Sequence, residues 1–174
     1  MNKNLIIPAL VLLFLVYRGY TNLQQTKLIE YNDQIVEFVD AATIALSEIE
    51  IAIDPWFEGV PIEVDQFETL IKLKLREIAS AKAGAESLEP PSDEATIIAF
   101  KAAASSYIAR YETLSQSYQS TIDTMKIENP TSESTLERVS LELTPLYDEI
   151  GFAIANLEIS QKAMADKHSF TLEY

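Results

Sequence analysis

The chain has 174 residues, 48% of them apolar, which suffices for one compact domain with at most one accessory segment. It has no cysteine, so disulfides and thiolate metal sites are excluded, and its single histidine excludes sites built from several imidazoles. With 13 basic and 27 acidic residues the formal net charge is −14, so nucleic acid is not expected as a partner.

The amino-terminal segment has the pattern of an export signal, a short basic start followed by an uncharged apolar run. A full membrane span needs about 20 residues, and flanking basic and tyrosine side chains that reach the headgroups extend this run to about residues 3–22. We therefore predict an uncleaved signal-anchor over residues 1–22, defined by Lys3, Leu5, Tyr17, Arg18 and Tyr20. A cleaved signal peptide and a buried soluble helix are the alternatives, although large residues stand where a cleavage site needs small ones.

This layout, an amino-terminal anchor followed by a helical domain, resembles that of LemA-type bacterial membrane proteins and of periplasmic helical bundles. The local likeness covers Gly19 to Leu23, and a second stretch typical of the LemA type is missing, so the resemblance implies no activity. We expect membrane lipid to hold the anchor in a bacterial inner membrane as a single pass. The rest of the chain would lie in the periplasm, or be secreted if the signal were cleaved.

Three clusters of proline, glycine and polar residues, at 54–61, 89–92 and 128–132, divide the remaining chain. Apolar residues recur between them with a period of about 3.5, which indicates helices rather than strands. The predicted domain covers residues 23–168, with a tail at 169–174 and helices at about 23–53, 63–88, 92–127 and 132–167. Short connections make consecutive helices antiparallel, so the predicted fold is all-α, an up-down-up-down four-helix bundle behind the anchor.

The inward positions of the four helices follow from residues spaced seven apart. A second inward line lies three residues after the first four of these positions in each helix, and Lys74 is the one charged residue on it. Pro145 takes an outward position, where a kink is expected rather than a stop. A coiled coil between copies of the chain is the alternative architecture. The seven-apart residues are Leu28, Ile35, Ala42 and Ile49, then Val64, Ile71, Ile78 and Ala85, then Ile97, Ala104, Tyr111, Tyr118 and Met125, then Leu136, Leu143, Ile150, Leu157 and Met164.

Chemistry-bearing motifs are scarce. His168 has no glutamate three residues before it, so the pattern of a di-iron bundle site is missing. No glycine-rich phosphate loop occurs, and no second histidine could serve a serine nucleophile as a base. We predict that the chain is not an enzyme and holds no cofactor or metal.

Two adjacent aromatic residues, Trp56 and Phe57, fall in the predicted loop between the first two helices. If the first helix rises from the membrane, this loop lies at the end of the bundle farthest from the bilayer. The pair either caps the core or forms an apolar docking patch for a protein partner, since aromatic residues are favoured anchors. We predict a docking tip at Trp56 and Phe57.

A polar layer is predicted at mid-height, where Lys74 is level with Tyr107, Tyr111 and Tyr147. Small residues on the first helix face these phenols. One interpretation is a cavity lined by one ammonium and three hydroxyls that binds a small anion or polar ligand. The other is that the phenols fill the space beside small residues while Lys74 reaches outward to solvent.

These features predict a membrane-anchored, extracytoplasmic interaction or scaffold protein, such as an accessory subunit of an envelope complex. Its partner is expected to be an unidentified protein. The alternative is a ligand-binding, sensor-like bundle that acts through a separate signalling protein and takes a small molecule.

Overall fold

A computed structural model describes the backbone of residues 3–127 and 133–172 and the side chains of residues 24–126 and 133–172. The anchor residues Lys3, Leu5, Tyr17, Arg18 and Tyr20 lie outside the described side chains, as does the predicted helix break at 128–132. The described elements are four helices, α1 (Lys3–Phe57), α2 (Val64–Ser87), α3 (Ala95–Ile127) and α4 (Glu133–His168).

The all-α, four-helix prediction is confirmed, and residues 3–127 and 133–172 contain no strand. The seven-residue spacing identified the core correctly, since most of the residues it selected are buried and the others are half-buried. In the part of the chain with described side chains, none of the helices has an apolar stretch long enough to span a bilayer.

Consecutive helices run antiparallel. Along α1, Phe38 approaches Gly84 and the later Glu48 pairs with the earlier Lys74 of α2. The pairs Lys82–Glu112 and Lys126–Glu68 show the same reversal between α2 and α3. These cross-helix contacts give the up-down-up-down order.

The four helices do not contribute equally to the core. Helix α3 packs against all three others, and it is buried on a wide face through Ala104, Ile108, Ser115 and Ile122. Among the helix pairs that are in contact, α1 and α4 touch each other least. Hydrogen bonds join them at three heights, from Tyr147 to Glu50, from Gln161 to Asn32 and from Gln25 to the His168 carbonyl.

The end of α1 differs from the prediction. The helix was expected to stop near residue 53, but it continues through Phe57 and ends in a Schellman motif. In that motif the Gly59 N–H donates to the Trp56 carbonyl at 3.0 Å and the Val60 N–H donates to the Pro55 carbonyl at 2.9 Å. Gly59 has φ +79°, a left-handed conformation that costs glycine little, so it is the residue that ends the helix.

Helix α4 passes through Pro145 without a break, as its outward position predicted. The proline is exposed, so its missing N–H faces solvent rather than the core. Residues 133–168 form one helix, so the chain does not stop at the proline.

Candidate functional site

The predicted docking tip is largely inside the molecule. Trp56 is only 1% exposed and belongs to the core, and Phe57 is half-buried beside it with ring centroids 5.1 Å apart in an edge-to-face arrangement. The expected position in a loop was wrong, because the last turn of α1 directs the indole between the helices. Trp56 therefore contributes no accessible surface, and docking through Phe57 stays a prediction.

The structure separates Lys74 from the tyrosines of the predicted polar layer. Its ammonium pairs with Glu48 at 2.7 Å and with Glu77 at 3.0 Å, on the side of α1 that faces α2. The hydrogen bonds that Lys74 donates to these two carboxylates raise its pKa against the opposing effect of burial. Lys74 is only 8% exposed, so its ammonium ends in an ion pair between α1 and α2 and does not extend into solvent as the second interpretation expected.

The three tyrosines lie on another side of α1 and, together with Tyr118, form two hydroxyl pairs. Tyr107 contacts Tyr111 and lies 3.5 Å from the Thr43 hydroxyl. Tyr147 contacts Tyr118 and donates to Glu50 Oε1 at 2.8 Å. Glu48 and Glu50 are two residues apart on one helix and point about 200° apart, which explains why the lysine and the tyrosines diverge.

These hydroxyl pairs form what we define as the tyrosine cluster, Tyr107, Tyr111, Tyr118 and Tyr147, and burial has the largest effect on the pKa values of the last three. It raises the pKa of Tyr118 to about 12, and it also raises the pKa values of Tyr111 and Tyr147. The nearby Glu50 carboxylate acts in the same direction on all three, because a phenolate beside it would add a second negative charge. The cluster is thus a set of hydroxyls that bond mainly to one another.

Catalytic and metal-binding groupings were also sought among the described side chains. Within residues 24–126 and 133–172, no group of three or more histidine or acidic residues is placed to hold a metal ion. His168 lies at the end of α4 with its Nε2 3.1 Å from Glu94 Oε2, so it joins the end of α4 to the start of α3.

The outward side of α4 carries a feature that the sequence analysis missed. Three of its large apolar residues are among the most exposed in the described chain, namely Leu141 at 68%, Phe152 at 78% and Ile159 at 68%. Leu141 and Ile159 are five full helical turns apart and so lie on one line, and Phe152 is about 20° from it. We call this line the outer stripe of α4.

The outer stripe lies roughly opposite the residues of α4 that enter the core, such as Val139, Leu143 and Met164. One helix therefore has two apolar faces, of which the bundle uses one. A helical projection of residues 133–168 would have shown the second face, but the seven-residue register selects a single line for each helix.

The surroundings of the outer stripe are polar. The exposed Asp148 lies on the same line between Leu141 and Phe152. Salt bridges join Arg110 to Glu149 at 2.6 Å and Lys162 to Asp166 at 2.9 Å. An apolar line within a charged border is the usual composition of a protein-binding surface.

In the comparisons with known proteins, the chain matches no protein-family model, no curated protein and no solved structure.

Proposed function

We propose that this protein is an extracytoplasmic interaction protein, anchored by residues 1–22, which binds a helix of a partner protein along the outer stripe of α4. The anchor rests on the apolar amino-terminal sequence with its flanking basic residues. The docking function rests on one observation, the exposure of Leu141, Phe152 and Ile159 on one line of a helix whose opposite face already fills the core. An accessory subunit of an envelope complex would have these properties.

The dimensions of the outer stripe suit a helix as its occupant. It extends about 27 Å from Leu141 to Ile159 at 1.5 Å per residue, the length of about five helical turns. Residues at 141, 145, 148, 152, 155 and 159 alternate in steps of four and three, which is the spacing that a second helix meets in a coiled-coil contact. A partner helix of similar length would cover all three large apolar side chains.

Charge favours a different protein over a second copy of this chain. An antiparallel pair of α4 helices that set Leu141 against Ile159 of a second copy would set each Asp148 against Phe152 of the other. Burying two carboxylates against phenyl rings without a cation is costly, and each chain already has a net charge of −14. A partner helix with a lysine or arginine opposite Asp148 avoids this cost.

The ligand-binding alternative has less support in the contacts. The tyrosine hydroxyls of the polar layer bond to one another and to Glu50, and the Lys74 ammonium bonds to two carboxylates. Polar groups that already have partners gain little from a small anion, since ligand bonds would replace existing ones.

A photo-cross-linking experiment tests the docking proposal. Full-length protein with benzoylphenylalanine in place of Phe152 is irradiated in the cells that make it, and cross-linked peptides are sequenced by mass spectrometry. The matched control carries the same group at Ile98, an exposed aliphatic position on α3. We expect one dominant product at position 152, a helical segment of another protein with a lysine or arginine within one turn of the cross-link.

A charge-reversal variant tests whether the partner places a basic residue opposite Asp148. Asp148→Lys should reduce the yield of that product at least about tenfold, as expected for a like charge placed against the partner's basic residue. Glu158→Lys makes the same charge change at an exposed position off the outer stripe and should leave the yield unchanged. A product with a second copy of this chain, or no product above the Ile98 control, would reject the proposal.

A further inference from the structure

A second surface, on the opposite side of the bundle from the α1–α4 seam, is a groove between α1 and α2. Its volume is about 560 Å³. The floor is apolar because Phe38, Ala41 and Ala81 line it, and it is hollow because the two alanines are small and the Phe38 ring is packed close to Gly84. We call this the α1–α2 groove.

Exposed aliphatic residues continue the floor along the helices. Ile44 is 61% exposed at one end of the groove, and Leu73 and Ile51 are exposed further along. From Phe38 to Ile51 the apolar track is about 20 Å long at 1.5 Å per residue. Such a track between two antiparallel helices matches the way an amphipathic helix is held in a groove.

The borders of the groove are acidic on both sides. Glu37 on α1 and Glu77 on α2 line it, and the exposed carboxylates of Asp40 and Glu48 follow on α1. Lys74 is tied to Glu48 and Glu77, so it neutralises part of this charge without projecting into solvent as a free cation. Glu37 and Asp40 have no such basic partner among the described contacts.

From this arrangement we infer that the α1–α2 groove binds a cationic amphipathic helix of a partner protein. An aliphatic side chain of that helix lies on the floor beside Phe38, and its lysine or arginine residues pair with Glu37 and Asp40 on the α1 border, which have no basic partner among the described contacts. A second copy of this acidic chain does not suit the groove, because the carboxylates would repel it. This site is independent of the outer stripe of α4.

The test uses a fluorescent lysine–leucine peptide about four helical turns long and measures its binding to the full-length chain by anisotropy. A peptide of the same composition in scrambled order, which cannot form an apolar face, is the control for non-specific charge attraction. We expect the amphipathic peptide to bind at least about tenfold more tightly than the scrambled one, a difference of about 1.4 kcal/mol.

Two variants locate the binding. Ala41→Trp fills the floor, and Glu37→Lys reverses a border charge at an exposed position; each should weaken the amphipathic peptide about tenfold. Glu158→Lys, with the same charge change on α4, and Phe152→Ser, in the outer stripe, should leave binding unchanged. Equal binding of the two peptides, or full binding by both groove variants, would overturn the inference, whereas a loss in Phe152→Ser alone would move the peptide to α4.

Discussion

The two faces of α4 present similar side chains in opposite environments. Toward the bundle, Val139, Leu143 and Met164 are buried among residues of the other helices. Away from it, Leu141 and Phe152 are mostly in water, although leucine and phenylalanine gain about 1.5–3 kcal/mol each from full burial. Folding therefore buries the side chains of the inner face, whereas those of the outer face would be buried only by a bound partner.

Apolar side chains on one helix can therefore have two different roles, folding on the inner face and binding on the outer face. A substitution on the inner face changes how the chain folds, and the same substitution on the outer face should change what the chain binds. We therefore expect substitutions in the core to change stability most and substitutions in the outer stripe to change it least.

Leu143→Ala should lower the free energy of unfolding by about 2–4 kcal/mol, because it removes buried methyl groups and leaves a cavity in the core. Urea unfolding followed by circular dichroism measures the change. Leu141→Ala, two residues away on the exposed side, is the matched control and should stay within about 0.5 kcal/mol of the unmodified chain. Equal losses in the two variants would contradict the assignment of the two faces.

A double-mutant cycle at Gly84 and Phe38 tests the packing between α1 and α2. A Cβ at Gly84 would lie 2.3 Å from a Phe38 ring carbon, so Gly84→Ala forces the ring to move and should cost about 1 kcal/mol after the gain in helix propensity. In a Phe38→Ala background the clash is gone, and the same change should stabilise the chain by about 0.5–1 kcal/mol. A change of the same sign in both backgrounds would show that the two residues do not pack together.

The buried tyrosines predict a loss of stability at high pH. Burial raises the pKa of Tyr31 and of Tyr118 to about 12, above the ordinary value of 10.0 that applies when the chain is unfolded. Because the folded pKa is the higher one, this contribution is complete below a pH of about 10 and is lost as the pH rises from about 10 to about 12. Urea midpoints measured across that range should fall, and Tyr118→Phe should fall less steeply.

Lys74 also contributes stability that is lost at high pH. Its pKa is raised by Glu48 and Glu77, so the stability that this ion pair contributes is present below the ordinary lysine pKa of 10.5 and is lost above it. A control Lys74→Met separates the two contributions, since it removes the lysine titration and leaves that of the tyrosines. A stability that does not change up to a pH of about 12 would contradict both.

The smallest effect is expected at the outer stripe. Changing Leu141, Phe152 and Ile159 together to serine should alter the free energy of unfolding by less than about 1 kcal/mol, because these exposed side chains contribute little to the core. Differential scanning calorimetry of the variant beside the unmodified chain gives the comparison. A loss of several kcal/mol would mean that the stripe belongs to the fold.

Much of the fold was predictable from local signals. Ile35, Ile71, Tyr111 and Leu143 recur in register because a helix that hides one face must repeat its apolar residues. The end of α1 was harder, since Pro55 suggested a stop that Gly59 actually provides four residues later. A proline within the last turn costs little, whereas a left-handed residue ends a helix outright.

The candidate site was less predictable for physical reasons. Trp56 and Phe57 looked accessible because they were expected in a loop, and the burial of the indole depends on how far α1 extends. Lys74 and Tyr147 are at similar heights, but which side of α1 each reaches depends on rotation about the helix axis, and height alone does not fix this. To predict the outer stripe, two apolar faces of one helix have to be compared. The packing of the bundle decides which of these faces is buried in the core.

We propose that a bound partner covers the outer face of α4 in the cell. Hydroxyl-radical footprinting tests it most directly, by comparing oxidation of Phe152 in intact source cells with oxidation in the purified full-length chain. We predict strong oxidation of Phe152 in the purified chain and at least about fivefold protection in cells, with Tyr147, which is exposed off the stripe, reacting alike in both. Equal reactivity of Phe152 in the two samples would contradict the claim.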